Sequence, residues 1–299
     1  MKQGVAILKA WQTQLEVLPV SEFFIRAIYL SMIWTTTKQL GIGDIVWGSD
    51  WLHALYTPFA NIDRFAMILN EAAVRVYYLW FALPFLTLLL AGLFGKHNAL
   101  TRLVVWYLYV ALHYGNVEIS TGGHHLYQQL LFFHILFFKV DASENRHWAS
   151  ARRLLHHLGF YAIWVNIALL YLASAYWKTF GDMWWNGDAL LMSISFAEYS
   201  FPGLTKVLTH NTWFLMLGSY AVFVYQLMFA VVIWVKPARK PFLLFGLVFH
   251  LAIAFIVGLT DFGIFMIASY SIFLSPTEAA AMLKRFSWSR ERAMQWSAR

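Results

Sequence analysis

The sequence predicts an all-α integral membrane protein of about eight transmembrane helices, with interfacial helices on its extracytoplasmic face. Three observations lead there. Of the 299 residues, 60% are hydrophobic and only 12% charged, whereas an ordinary soluble domain is about a quarter charged. Apolar runs approaching the roughly 20 residues a bilayer requires recur from residue 20 to residue 275, with no Ser/Pro-rich linker or charge block between them. Finally, the Lys and Arg residues divide unequally between alternate loops.

The apolar runs lie near Ser21 to Gln39, Val74 to Phe94, Arg102 to Glu118, His124 to Phe138, Leu158 to Trp177, Trp213 to Val235, Phe242 to Leu259 and Phe262 to Leu274. The fourth and eighth are short. No A-x-A-like cleavage site follows an apolar core at the N-terminus, where Gln12 and Glu16 interrupt, so the first run reads as a retained anchor and not a signal peptide. Eight spans put both termini on one side. Segments 2–9, 96–102, 139–153, 236–240 and 284–299 on that side carry 16 of the 22 Lys and Arg residues, and the opposite side carries five. Both termini are therefore expected in the cytoplasm, in a cell membrane that the resemblance described below makes a bacterial inner membrane. This topology accounts for the net charge of +7 without a nucleic-acid partner. One domain is expected over residues 1–276. A basic tail, 277–299, follows it, with Phe286, Trp288 and Trp296 interleaved for contact with the bilayer.

Two segments outside the runs, 42–73 and 180–211, mix Trp, Phe, Leu and Met with Asp and Asn. Both fall on the outer face, as helices in the interface or a lid over an outward cavity. With no cysteine in the chain, disulfides, thiolate metal sites and cysteine nucleophiles are excluded. No zincin, nucleophile-elbow, P-loop or dinucleotide-binding motif occurs. The pairs His124-His125 and His156-His157 lack acids or histidines at helical spacing, so no metal site is expected.

Ionisable residues inside a bilayer are costly and so mark candidate sites. On this topology His113, Asn116 and Glu118, then His124, His125, Gln128 and Gln129, and then Tyr171, Tyr176 and Lys178 approach the outer face, with His250 near mid-membrane and Asp261 beyond it. His124 and Gln128 share one helix face, and Tyr171 and Lys178 lie two turns apart along one stripe. A lysine at an apolar rim suits a general base, and equally a snorkelling anchor. His250, among Phe249, Leu251 and Ile253, suits a pocket-lining group, and equally a hydrogen bond between helices.

Three segments together resemble the HTTM family, the membrane domain of the vitamin K-dependent gamma-glutamyl carboxylase type. They are YLASAYWK at 171–178 followed by WWNGDA at 184–189, GGHHLYQQLLFFHILFF at 122–138, and the run from Phe249 to Pro276. The resemblance implies that Lys178 is the base toward a reduced quinone of the vitamin K or menaquinone type, with O2 and CO2 as co-substrates. It further implies that His124 shares that chemistry, that His250 and Tyr171 hold the cofactor, joined by Gln128 through its place on the His124 face, and that Trp184 and Gly187 are structural. The reaction implied, a lyase-type carboxylation, modifies glutamate of a secreted peptide or protein outside the cytoplasm. This chain departs from the family pattern at Ala175-Tyr176-Trp177 and at Gly122-Gly123, and the large lumenal domain of the family is expected to come from a partner chain. A non-enzymatic partner in maturation or export of a secreted peptide is the alternative, and a transporter a third.

Overall fold

The computed structural model describes residues 6–7, 16–46, 71–113, 121–140, 145–195 and 202–285. Among the described residues every regular element is helical and no strand occurs. In chain order the helices are α1 (Leu18–Leu40), α2 (Gly43–Val46), α3 (Glu71–Leu93), α4 (Ala99–His113), α5 (Gly122–His134), α6 (Arg146–Lys178), α7 (Asp182–Asn186), α8 (Ala189–Ser195), α9 (Pro202–Thr209), α10 (Thr212–Val232), α11 (Lys236–Ile256), α12 (Thr260–Ser269) and α13 (Pro276–Arg285). A short 3-10 turn, Tyr270–Phe273, follows α12. Of the segments expected to lie in the interface, 180–211 forms the short helices α7, α8 and α9. Residues 47–70 of the other, together with Asn116, Glu118 and the basic tail from residue 286, lie outside the described residues.

Three described helices are long and apolar enough to cross a bilayer, namely α6, α10 and α11. A fourth is reached if Thr260–Phe273 and Pro276–Arg285 are counted as one span. Eight were expected from the whole sequence, and two of the described helices, α1 and α5, show a physical reason for a lower count. With 23 residues α1 is long enough, but it carries Glu22, Arg26 and Lys38. The 13 residues of α5 reach about 20 Å at about 1.5 Å per residue, short of a hydrocarbon core about 30 Å thick, while α4 is described as far as His113. The long helices also leave apolar faces uncovered. Leu217, Val224 and Val231 on α10, and Leu244, Val248 and Phe255 on α11, are all exposed, which is the surface a bilayer accepts and water does not.

The chain divides into two compact units, residues 1–163 with 271–299, and residues 164–270. In the first, α1 packs on α3, α3 on α4 and α4 on α5. Its interior is held by charge as well as by apolar side chains. Arg102 on α4 is 1% exposed, and its Nη2 donates to the carbonyls of Phe137 at 2.5 Å and Ile135 at 3.5 Å. These are carbonyls left without helical partners where α5 ends, and a cation there also meets the negative end of the helix dipole. Arg102 Nη1 donates to His97 Nδ1 at 2.9 Å, and the other ring nitrogen of His97 lies 3.2 Å from the Glu22 carboxylate, which also pairs with Lys139 at 3.2 Å. His156 serves the next carbonyl, donating from Nδ1 to Phe138 at 2.9 Å while its Nε2 meets Ser21 Oγ at 2.8 Å.

In the second unit, α10 packs against α7, α8, α9 and α11, and α11 against α12. Local signals fix the ends. Pro237 enters α11 in its first turn. The Asn211 side chain accepts from Phe214 N at the start of α10. Gly187 ends α7 in the left-handed region at φ +82°, where its N–H bonds to Met183.

Removing one partner of a buried charge network is costly because the others stay buried. Arg102→Met is expected to lower stability by about 3 kcal/mol, read as a fall in the thermal midpoint in detergent, while Lys96→Met, at an exposed position, leaves the midpoint unchanged.

Candidate functional site

The candidate residues fall into both units. His124 and Gln128 belong to α5 in the first. Tyr171, Lys178, Trp184, Gly187 and His250 belong to the second.

In the first unit His124 is buried and sits at the N-terminal turn of α5. Its Nδ1 accepts from the Thr121 backbone N–H at 3.0 Å and meets Thr121 Oγ1 at 3.1 Å, so the imidazole closes the helix start as a capping-box side chain does. Tyr109 Oη donates to the His124 carbonyl at 3.2 Å, and the rings of His113 and His124 lie 5.1 Å apart. Gln128 contributes its backbone carbonyl, which accepts from Trp106 Nε1 at 3.1 Å.

In the second unit Lys178 ends α6. Its Nζ donates to Ser174 Oγ at 3.0 Å, one turn back, and lies 4.7 Å above the Trp184 ring. Ser174 Oγ in turn donates to Gln226 Oε1 on α10 at 3.2 Å. Lys178 makes no ion pair among the described residues. The ammonium is thus held by a hydroxyl and an indole face and by no carboxylate. Trp185 Nε1 donates to Thr179 O at 2.8 Å, fixing α7 against the end of α6. A Cβ on Gly187 would fall 2.3 Å from Met216 Cγ, so this position requires glycine both for its backbone and for its close approach to α10.

Two turns before Lys178, Tyr171 meets His250. Tyr171 Oη is 2.5 Å from His250 Nε2, and the same oxygen is 2.5 Å from Tyr270 Oη, which is 2.8 Å from Tyr225 Oη. All four side chains are buried. Phe229 stacks on Tyr171 with ring centres 4.0 Å apart, Phe242 on Tyr225 at 4.6 Å, and Phe262 meets His250 at 5.7 Å. Sequence reasoning placed Tyr171 and His250 as pocket residues and missed Tyr225, Tyr270, Ser174, Gln226 and Gly246. The signal was present in part, because Ser174 lies three residues after Tyr171 and four before Lys178 on the same face. Gly246 lies one turn before His250. A Cβ there would fall 2.0 Å from Tyr225 Oη and 2.6 Å from Tyr270 Oη, so its absence opens the space the hydroxyls fill.

The unit also holds an apolar groove of about 190 Å³, bounded by Leu190, Ile194, Leu208, Leu215, Phe249 and Ala252 among others. Among the described residues no three of His, Asp and Glu gather in a way that would hold a metal ion.

The chain is similar to the "Uncharacterized protein YitO" of Bacillus subtilis (strain 168), 20% identical over 248 residues that cover 77% of this chain and 78% of that one. No family model and no solved structure matches.

The tyrosine cluster depends on the space over Gly246. Gly246→Ala is expected to lower stability by about 1–3 kcal/mol through overpacking, outweighing the roughly 1 kcal/mol that Ala gains over Gly inside a helix. Gly203→Ala, where a Cβ meets nothing within 4 Å, is the control in the same thermal melt.

Proposed function

We propose that this is a membrane enzyme of the carboxylase-like type, in which Lys178 is the base toward a reduced quinone and glutamate of a secreted peptide is modified outside the cytoplasm. The observation that carries this reading is the setting of Lys178, held by Ser174 and the Trp184 ring without a carboxylate partner among the described residues. A lysine kept for anchoring alone reaches out to water or to an acid. Here Lys178 Nζ turns along its own helix to a hydroxyl that is itself held by Gln226.

The second unit suits a quinone. Lys178, Gln226, Tyr171 and His250 offer polar atoms for a ring bearing oxygens. The groove through Leu190, Ile194, Phe249 and Ala252 offers a lining of apolar side chains for a prenyl tail. When bound, the reduced quinone with O2 supplies the strong base and CO2 the new carboxyl group. The chain's own part is to take a proton at Lys178 Nζ in its neutral amine form, to fix that nitrogen through Ser174, and to exclude water with Trp184. For His124 a part in the reaction rests on the family resemblance, because its Nδ1 is engaged by Thr121, and for Gln128 it rests on sharing the His124 face. In this reading both termini face the cytoplasm, α1, α3, α4 and α5, the last continued by the chain to Phe138, add to the long helices to give about eight spans, α7 to α9 lie in the outer interface, and a partner chain grips the peptide.

The test is turnover of reduced menaquinone or vitamin K with O2, bicarbonate and a glutamate-rich peptide, with epoxide read by mass spectrometry. Wild type is expected to form epoxide and Lys178→Ala at least about a hundredfold less, the range general-base removal spans. Folded wild type that makes no epoxide would instead favour a non-enzymatic partner in maturation or export of a secreted peptide.

A further inference from the structure

The row of three phenols ending on an imidazole has a proton count that restricts what it can do. A phenol has one proton to give and lone pairs to accept with, and a neutral imidazole has one N–H and one bare nitrogen. The contacts Tyr225 to Tyr270 at 2.8 Å, Tyr270 to Tyr171 at 2.5 Å and Tyr171 to His250 Nε2 at 2.5 Å need one proton each. Two arrangements run the whole row in one direction. In one, every phenol donates toward the ring, so Nε2 accepts and the ring proton sits on Nδ1. In the other, Nε2–H donates to Tyr171, each phenol donates away from the ring, Nδ1 is bare, and the Tyr225 proton points out of the row. Both arrangements are neutral and hold four protons. Going from the second to the first takes one proton in at Nδ1 and releases one at Tyr225. Along the way the Nε2–H proton passes to Tyr171, that of Tyr171 to Tyr270 and that of Tyr270 to Tyr225, so each oxygen loses one O–H bond and gains another. No charge is left behind.

We propose that Tyr225, Tyr270, Tyr171 and His250 form a proton relay, in which His250 Nδ1 exchanges a proton with a bound substrate and the three tyrosines position and feed the ring. The exchange with a substrate rests on the enzymatic reading above, whereas the wiring of the row does not. Two further observations separate a relay from plain packing. His250 is 1% exposed, and its Nδ1 has no hydrogen-bond partner among the described residues, so one end of the row is left open inside the protein at an energetic cost. Helix α11 also carries a glycine, Gly246, where a side chain would collide with the Tyr225 and Tyr270 hydroxyls. Phenylalanines in place of these tyrosines would fill the same space with no polar group to satisfy. The aromatic rings of Phe229, Phe242 and Phe262 pack on the row, which leaves the hydroxyls to hydrogen-bond to one another.

A phenol O–H is a better donor than an imidazole N–H, and an imidazole nitrogen a better acceptor than a phenol oxygen, so the resting ring carries its proton on Nδ1. The experiment is nitrogen NMR on the full chain labelled with ¹⁵N-histidine in lipid nanodiscs, with His250 assigned from the signal lost in His250→Gln. Wild type is expected in the Nδ1–H form, and Tyr171→Phe in the Nε2–H form. Deuterium exchange of the Nδ1–H, measured with free imidazole added as the base that takes the Nδ1 proton while solvent resupplies the row at Tyr225, is expected to slow about tenfold or more in Tyr225→Phe and in Tyr270→Phe, because without the row the ring cannot be resupplied at Nε2 short of local opening. A wild-type ring protonated on Nε2, or exchange that none of the tyrosine variants alters, overturns the proposal. The wild-type spectrum alone decides the first point if a variant fails to fold. No turnover enters the readout, so absent epoxide beside the expected NMR pattern would remove the quinone reading and leave the relay standing.

Discussion

A guanidinium taken out of water inside a helical protein must be surrounded by acceptors, and Arg102 shows how much of the first unit answers to that demand. Its two terminal nitrogens reach the carbonyls of Ile135 and Phe137 and the ring of His97. His97 passes the connection to Glu22 on α1, and Glu22 to Lys139. One side chain on α4 therefore satisfies the carbonyl end of α5 and, through a histidine, reaches the start of α1. The end of α5 falls inside the protein, where orphan carbonyls have no water to turn to. Arg102 and His156 supply the donors that water would have given.

The second unit meets the same demand without fixed charge in its interior. Phenols, an imidazole, a hydroxyl and an amide bond to one another there across α6, α10, α11 and the turn after α12, with His250 Nδ1 left open among the described residues. Lys178, at the end of α6, is only partly buried and is held by neutral groups. The contrast has a chemical consequence. A network tied together by ion pairs resists protonation changes, since each change leaves a partner uncompensated. A network of neutral donors and acceptors can shift its protons with no net change in charge, which is what proton chemistry in an apolar setting requires.

Much of the helical reading was legible because it rests on composition and local pattern. Pro237 at the start of α11, Asn211 before α10 and Gly187 after α7 each act within one turn of chain, so the elements they bound are written locally. The stripe of Tyr171 and Lys178 was legible for the same reason, and its geometry holds Ser174 between them. The number of spans was less legible, because an apolar run does not state where its helix stops. The run from His124 to Phe138 gives α5, which ends at His134 and falls short of a bilayer. His124 stood out in the sequence as an ionisable group, and the structure gives its Nδ1 to Thr121, a local bond that a spacing of three residues permits but does not announce.

The sequence by itself determined an all-helical chain with apolar faces fit for a membrane, because hydrophobic content, helix signals and the scarcity of charge are properties of neighbours along the chain. Only the tertiary structure decided that Tyr171 meets His250 and that Tyr270 bridges to Tyr225. Those residues are separated by 79, 99 and 45 positions in the three contacts, and nothing local to any one of them encodes which hydroxyl it will find. The close packing of α11 at Gly246 decides it, and a missing side chain carries no pattern until the helix that fills its space is in place.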